Sequence, residues 1–457
     1  MKINKSGTIT PAILVITGAF IIVIYGLLLL LAQLFTFSNR QTASEKALHI
    51  AEAGVNYYRW HLAHEPEDFQ DGTGASGPYV HEYLDPEGKS VGYYSLDVTP
   101  PADGSSIVTI TATGWSNSYP EIKRTIEARY GRPSFAKYSS LQNASGWYGE
   151  NITVQGDVHS NNGIRMDGTN LALVQSSKET YICGSETGCN PPRYRPGVWG
   201  SGGDQSLWQY PVPPVDFNAV SFDFAQMRQS AQNDGLYLAN SNRSGYHLTF
   251  NSNGTVRVRR VNSTNNYIGY DADSGCQYLP QIIRSETNIG TYNVSDIPII
   301  FAEDHLWIEG TVNGRITVVA ARFPVSSYDT NVWINGNITY TQYDGSDSLG
   351  LIAQNDIYFI RNLPENFQID AALMAQTGKI IRHGYFSGCG ASSEAIKDSL
   401  TINGSVISYG KSYWNFNDPP VSGFITRQIN YDTNLLYAPP PFFPTSGEYE
   451  FISWKEE

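Results

Sequence analysis

The sequence predicts an α+β chain: a long N-terminal helix, lipid-facing and then amphipathic, packs on a four-stranded antiparallel sheet. A mostly β domain follows, built as a β-helix-like solenoid with an inserted α/β subdomain. Three observations carry this reading. Residues 6–39 contain no charged or histidine side chain, and helical spacing of small and apolar residues continues past them to Leu62. Residues 79–130 alternate apolar and polar positions between turn-forming stretches. Beyond Pro133 a phrase of the form apolar, x, Ile/Val, x, Gly, x, Ile/Val recurs.

The helix comes first. Residues 13–31 (ILVITGAFIIVIYGLLLLL) suffice to cross roughly 30 Å of hydrocarbon at about 1.5 Å per residue. Lys2 and Lys5 mark residues 1–7 as a leader that stays in the cytoplasm by the positive-inside bias, so the rest is expected outside, as a single-pass protein. The apolar run is about twice the 7–15 residues of a cleaved secretory signal. Past Asn39, Ala43, Ala47, Ala51, Val55, Tyr58 and Leu62 recur at steps of three and four among Arg40, Glu45, Lys46, Glu52 and Arg59. Pro66 ends the pattern. The reading is therefore membrane helix over 8–39 and amphipathic helix over 40–66, with Ala47, Ala51, Val55, Tyr58 and Leu62 packing on a sheet.

That sheet is expected within 67–132, as strands 79–84, 90–98, 107–115 and 122–130. Asp85-Pro86-Glu87-Gly88 and the stretches 100–106 and 116–120 separate them. Val108, Ile110 and Ala112 fall on one face, which needs a cover, and the amphipathic half-helix is the local candidate.

A basic leader ending at Gly7, a long apolar stretch and the box Ala51-Glu52-Ala53-Gly54 stand in an order that resembles the type IV pilin-like proteins, most closely the PilX-like minor pilins, over about residues 1–65. The resemblance implies cleavage between Gly7 and Thr8 by a prepilin peptidase. It also implies packing of the hydrophobic half among other pilin subunits and against an assembly platform. Two positions depart from the family pattern. Thr8 stands where shaft-forming members carry an aromatic residue or Met, and Ala12 where they carry Glu. A carboxylate in the apolar zone costs a few kcal/mol unless a neighbour compensates it. Its absence suggests a rare, priming or tip-located subunit, or one that is not processed.

The β-rich domain spans 133–457. The phrase appears at Ile152–Val158, Leu306–Val312, Val332–Ile338 and Leu400–Val406, with glycines at 156, 310, 336 and 404. Alternate apolar residues would point into a solenoid and Gly would turn its corners; an irregular β-sandwich is the alternative. A second pair, starting at Leu351 and Leu373, lies 22 residues apart. Between about 178 and 300 the phrase vanishes, which reads as an insertion holding a helix over 222–233 and a hairpin (246–250, 255–261) around Asn253-Gly254. The closing segment from Arg427 to Trp454 resembles the ends of large ectodomains behind PilX-like starts. Four cysteines, at 183, 189, 276 and 389, read as disulfides in an exported domain, and three pairings are possible. Gly184 and Gly188 favour closing Cys183 to Cys189, leaving Cys276 for Cys389.

Motifs of catalysis are few, and no HExxH, GxSxG or phosphate loop occurs. The reading is no enzyme and no cofactor. His61 and His64 near Glu65 read as polar residues rather than as a metal pair. Asp271 and Asp273 begin a calcium-like loop without its distal Glu, and an ordinary turn is the alternative. Net charge −13 argues against nucleic acid. Thirty Tyr and nine Trp could stack on a glycan or other surface ligand. The expected function is a minor pilin-like or pseudopilin-like subunit of a type IV pilus or related secretion filament, membrane-anchored, placed at the tip by its bulk, with an adhesive role. The alternatives are a plain signal-anchored envelope protein and a surface carbohydrate lyase or hydrolase, the last requiring Asp157, Asp167 or Asp370 to gather in one groove.

Overall fold

Helix α1 runs unbroken from Ile9 to His64, 56 residues or about 84 Å at ~1.5 Å per residue. The computed structural model describes residues 9–456 apart from 102–104, 218–222, 390–392, 418–419, 437 and 446–447, so the expected cleavage point at Gly7 and Thr8 lies outside the described residues. Within the apolar half, Thr17 and Thr36 return their hydroxyls to the carbonyls of Ile13 and Ala32 (2.7 and 2.9 Å), which satisfies polar groups that lipid could not. The large apolar side chains from Ile13 to Phe37 are exposed. Among the described residues α1 is the one helix long and apolar enough to cross a membrane.

The chain forms two units. In the first, the outer half of α1 lies on β1 (Tyr79–Leu84), β2 (Ser90–Thr99), β3 (Ile107–Ser116) and β4 (Tyr119–Gly131), which pair antiparallel in that order. Residues 43, 47, 50, 51, 55, 58 and 62 of the helix are buried, facing Leu96, Val108, Ile110, Ala112, Ile126 and Ala128. Small residues on both sides bring the backbones together. A Cβ on Gly114 would sit 2.3 Å from Ala47 O and 2.5 Å from Ala51 N. The helix ends ahead of Pro66, and Tyr58 Oη and His61 Nε2 bind Asp68 O (3.0 Å) and Asp68 Oδ2 (2.9 Å) to hold the exit.

The sheet has five strands rather than the expected four. Glu450–Glu456 pairs antiparallel with β4, so the end of the expected 133–457 domain belongs to the first unit. Arg124 on β4 pairs with Glu456 and donates to Ser44 Oγ (2.7 Å), and Tyr449 Oη donates to Pro66 O (3.0 Å). Phe451 and Trp454 on this strand are exposed, and with hardly a buried residue it carries no clear alternation to reveal it.

In the second unit the strands stack in parallel. One ladder passes through Gly245–Asn251, Leu306–Val312, Val332–Tyr340, Asn366–Ala375, Ile396–Ser408, Gly423–Asn430, Ile152–Gln155 and Thr169–Asn170. A second passes through Leu236–Leu238, Ile299–Ala302, Arg315–Ala320, Ser348–Ala353, the far halves of Asn366–Ala375 and Ile396–Ser408, then Ser140–Gln142, Val158–Ser160, Val174–Ser176 and Trp208–Gln209. Leu351 stands beside Leu373, and Leu306 beside Val332. Between the two ladders Gly404 turns with φ +145°, and a Cβ there would meet Ala371 O at 2.0 Å.

Two features depart from the sequence reading. The stack does not follow chain order, because 140–176 continue it beyond 396–430. The expected insertion over 178–300 is not separate either, since Leu236–Leu238 and Gly245–Asn251 are parallel partners within the stack. Their inward residues are Tyr246, Leu248 and Phe250, without the phrase glycine that would mark them. Helix α2 (Asp223–Asp234) packs Phe224, Met227 and Ala231 into a cluster with Phe301 and Val319. The expected hairpin forms, Gly245–Asn251 pairing antiparallel with Thr255–Val261 around Asn253-Gly254, and Thr255–Asp271 runs on to make a second, longer hairpin with Gly275–Asn293 that the sequence reading did not anticipate.

Candidate functional site

The long hairpin covers an aromatic row. Trp307, Trp333, Tyr358 and His383 stack on successive strands, with ring centroids 4.7, 5.6 and 5.3 Å apart. Trp307 Nε1 donates to Gln281 O (2.9 Å) on the hairpin, and Gln281 Oε1 accepts from Tyr385 Oη (2.9 Å) and Arg361 N (3.0 Å). Trp follows the first apolar residue in two copies of the phrase, a signal legible in the sequence once a cover is suspected. Disulfides join Cys183 to Cys189 and Cys276 to Cys389, and the second ties the hairpin's turn to the stack. Beside it Tyr270 and Gly384 exchange backbone hydrogen bonds of 2.8 and 2.9 Å.

Asp271 and Asp273 both face Lys379 Nζ, at 3.1 and 2.7 Å, so an ammonium stands where a bound cation would. Burial alone would raise the Asp271 carboxyl. Hydrogen bonds from Tyr413 Oη (2.7 Å) and from the N–H groups of Ser274 and Asp273, together with Lys379, bring it down to about 2. A depressed carboxyl stabilises the fold fully above about pH 4 and loses that contribution as pH falls through about 2. Asp271→Asn is expected to destabilise the second unit by about 1–2 kcal/mol, because it strips the half-buried Lys379 ammonium of one partner and leaves it only the exposed Asp273. Thermal unfolding checks this: the gap to the parent protein should be flat from pH 8 to about 4 and narrow below, with calcium leaving both melting temperatures unmoved.

Asp157, Asp167 and Asp370 are each engaged locally. Asp157 Oδ1 accepts from Leu173 N (3.2 Å). Asp370 is fully buried and accepts from Tyr340 N (3.1 Å), Tyr343 Oη (2.7 Å) and Asn403 Nδ2 (2.6 Å). Asp167 accepts from Trp147 Nε1 (3.0 Å) and lies 2.7 Å from Arg165 Nε. His64 Nδ1 lies 2.8 Å from Trp60 O, while His61 serves the helix exit.

Asp167 belongs to a cleft of about 370 Å³ whose walls come from chain segments more than 200 residues apart. One wall is formed by Trp147, Tyr148, Arg165 and Asp167, the other by residues 411–417, with Arg427 and Ile429 between. A third parallel ladder explains the opening. It runs Val332–Tyr340, Ile357–Phe359 and Ile380–Arg382, and reaches a single bridge between Ile381 and Tyr413. It resumes as a separate sheet of Gly146–Tyr148, Ile164–Met166 and Val198–Trp199. The other two ladders cross this level unbroken. The cleft is not legible in the sequence, since neither wall carries a motif.

Within it Arg165 is sandwiched by the rings of Trp147 and Trp199 (4.3 and 4.9 Å), which fixes the exposed Trp147 indole. The half-buried Lys411 donates to Glu186 O, and burial pushes its ammonium down to about 8. Two polar atoms of buried lining residues, Trp414 Nε1 and Gln142 Oε1, have no hydrogen-bond partner.

No profile of a known family and no curated protein matches the chain. Among solved structures it is similar to the crystal structure of the competence-associated pilin ComZ from Thermus thermophilus, with a TM-score of 0.33 and 14% identity over 91% of this chain and 98% of that one. That likeness is too low to carry an argument.

Proposed function

We propose that this chain is a pilin-like structural subunit, PilX-like in its first 65 residues, exported and anchored by α1 and assembled through it among other pilins of a type IV pilus or related secretion filament. The single observation that carries the reading is α1 itself, a continuous rod whose apolar half is unpartnered while its outer half is clasped by an antiparallel sheet. A bare membrane tether needs neither the continuity nor the clasp. Function lies in assembly rather than catalysis, a reading supported by the separate engagement of Asp157, Asp167 and Asp370. The parallel ladders support taking the second unit as a β-helix-like solenoid displayed outside the membrane, where an adhesive role at the tip suits its bulk. Mass spectrometry of the mature N-terminus tests the proposal. A chain beginning at Thr8 supports processing by a prepilin peptidase, and one retaining Lys2 and Lys5 returns the protein to an ordinary signal-anchored envelope protein.

A further inference from the structure

The geometry points to the cleft between Trp147 and residues 411–417 as a binding site for an acidic saccharide, with a sugar ring stacked on the Trp147 indole and its carboxylate on Lys411. This gives the adhesive part of the proposed function a site and a ligand class, and rests on that part alone.

Four observations carry it. The cleft is a structural gap, placed where one of three parallel ladders breaks while the others pass, so its walls are held from both sides and need no rearrangement to stay open. Its volume falls within the ~300–1,000 Å³ usual for small-ligand sites.

Its apolar surface is aromatic and preset. Trp147 is 42% exposed, yet its ring lies on Arg165 and its Nε1 is bound to Asp167, so the indole waits as a fixed platform. A flat ring with one face committed and an edge anchored loses little freedom when a sugar's C–H face settles on it.

Its charge is inverted relative to the chain. In a protein of net charge −13, the cleft gathers Arg165, Lys411 and Arg427 against Glu150 and Asp167. Asp167 is already taken by Arg165, Trp147 and Ser201. Among the described residues no carboxylate lies within ion-pair distance of Lys411, whose ammonium, 5.8 Å from the Trp147 ring, has only the Glu186 carbonyl as a partner. Glu186 and Asp273 attract this ammonium only from beyond ion-pair distance, and a partly desolvated cation without a paired carboxylate favours an anionic ligand over a neutral one. One such cation beside two carboxylates suits a single carboxylate better than a polyphosphate.

Unspent hydrogen-bonding capacity completes the case. Gln142 gives its Nε2 to Tyr148 Oη (3.2 Å) and leaves Oε1 unpartnered, and Trp414 Nε1 is unpartnered as well. An acceptor and a donor in the lining of one cleft match hydroxyls, which donate and accept, directly or through a water.

The test uses the purified full chain in detergent, titrated with trigalacturonic acid and, as a neutral match, galactotriose, following tryptophan fluorescence and heat. Saturable binding of the acidic trimer, at least about tenfold tighter than the neutral one, is expected. Lys411→Gln should bring the two ligands to within about threefold of each other, and Trp147→Ala should weaken both by about tenfold or more. Tyr194→Ala, at an exposed ring outside the cleft, should change neither, and all three variants should melt with the parent protein. The inference is overturned if no saturation is seen at about 10 mM trimer, if galactotriose binds equally well, if an acidic peptide of the same charge competes as effectively, or if Lys411→Gln and Trp147→Ala bind like the parent. Failure here leaves the pilin reading standing on its own N-terminal measurement, and a chain that keeps Lys2 and Lys5 can still bind the saccharide.

Discussion

Gly114→Ala should loosen α1 from its sheet. At this position the strand lies directly on the helix backbone, and the new methyl would come within 2.3 Å of Ala47 O and 2.5 Å of Ala51 N. Both are main-chain atoms of a continuous helix, so no rotamer change relieves the contact. The helix must move outward or β3 must bend. Either movement thins the contact of Ile50, Ala51 and Tyr58 with Leu96, Ile110 and Ala112. Overpacking of this kind costs about 1–3 kcal/mol, and partial exposure of three or four core side chains adds comparably, so a loss of about 3 kcal/mol or more in the first unit is expected. Hydrogen exchange on the full chain in detergent reads it, as faster exchange over 43–62 and across β2–β4 with the second unit unchanged. Protection equal to the parent's would mean that the helix does not sit on the sheet at that distance.

Replacing both Cys276 and Cys389 with serine should be the more damaging of the two disulfide removals. The bond closes a segment of 113 residues, against 6 for Cys183–Cys189. In the chain-entropy model these loops contribute about 5 and about 2 kcal/mol. The longer bond also has a local task, because it holds the hairpin turn over the row of Trp307, Trp333 and Tyr358. The double variant is expected to lose about 3–5 kcal/mol and to bind a hydrophobic dye as the aromatic row is uncovered, whereas the Cys183–Cys189 pair should lose about 2 kcal/mol without dye binding. Equal melting temperatures for the two variants would show that Lys379, Asp271 and the Tyr270–Gly384 backbone pair hold the cover unaided.

How much of this was legible differs by element, for a physical reason in each case. The alternation of Val108, Ile110 and Ala112 announced β3 because one face of that strand meets the helix and the other does not. Glu450–Glu456 hid because its pairing is main-chain hydrogen bonding to β4 with little side-chain burial. The glycine phrase found the corners at 156, 310 and 404, where φ is positive, whereas Gly336 turns without needing that freedom. Gly245–Asn251 was legible as a hairpin strand but not as a rung of the stack, because its pairing with Leu306–Val312 is main-chain hydrogen bonding and its sequence lacks the phrase glycine.

By itself the sequence determined what depends on neighbours along the chain. That covers the apolar length of α1, the small-residue stripe from Ala43 to Leu62, the local meander, the glycine corners and an even set of cysteines, because helices, hairpins and tight turns are built from contacts within a few residues. The tertiary structure alone decided what depends on distant segments meeting. It brought 140–176 onto 396–430, returned Glu450–Glu456 to the first sheet and set Lys379 between Asp271 and Asp273. It also opened the cleft at the break in the third ladder. Parallel pairing makes this so: each strand's partner is a full turn or more away, and backbone hydrogen bonds carry no side-chain label to name it.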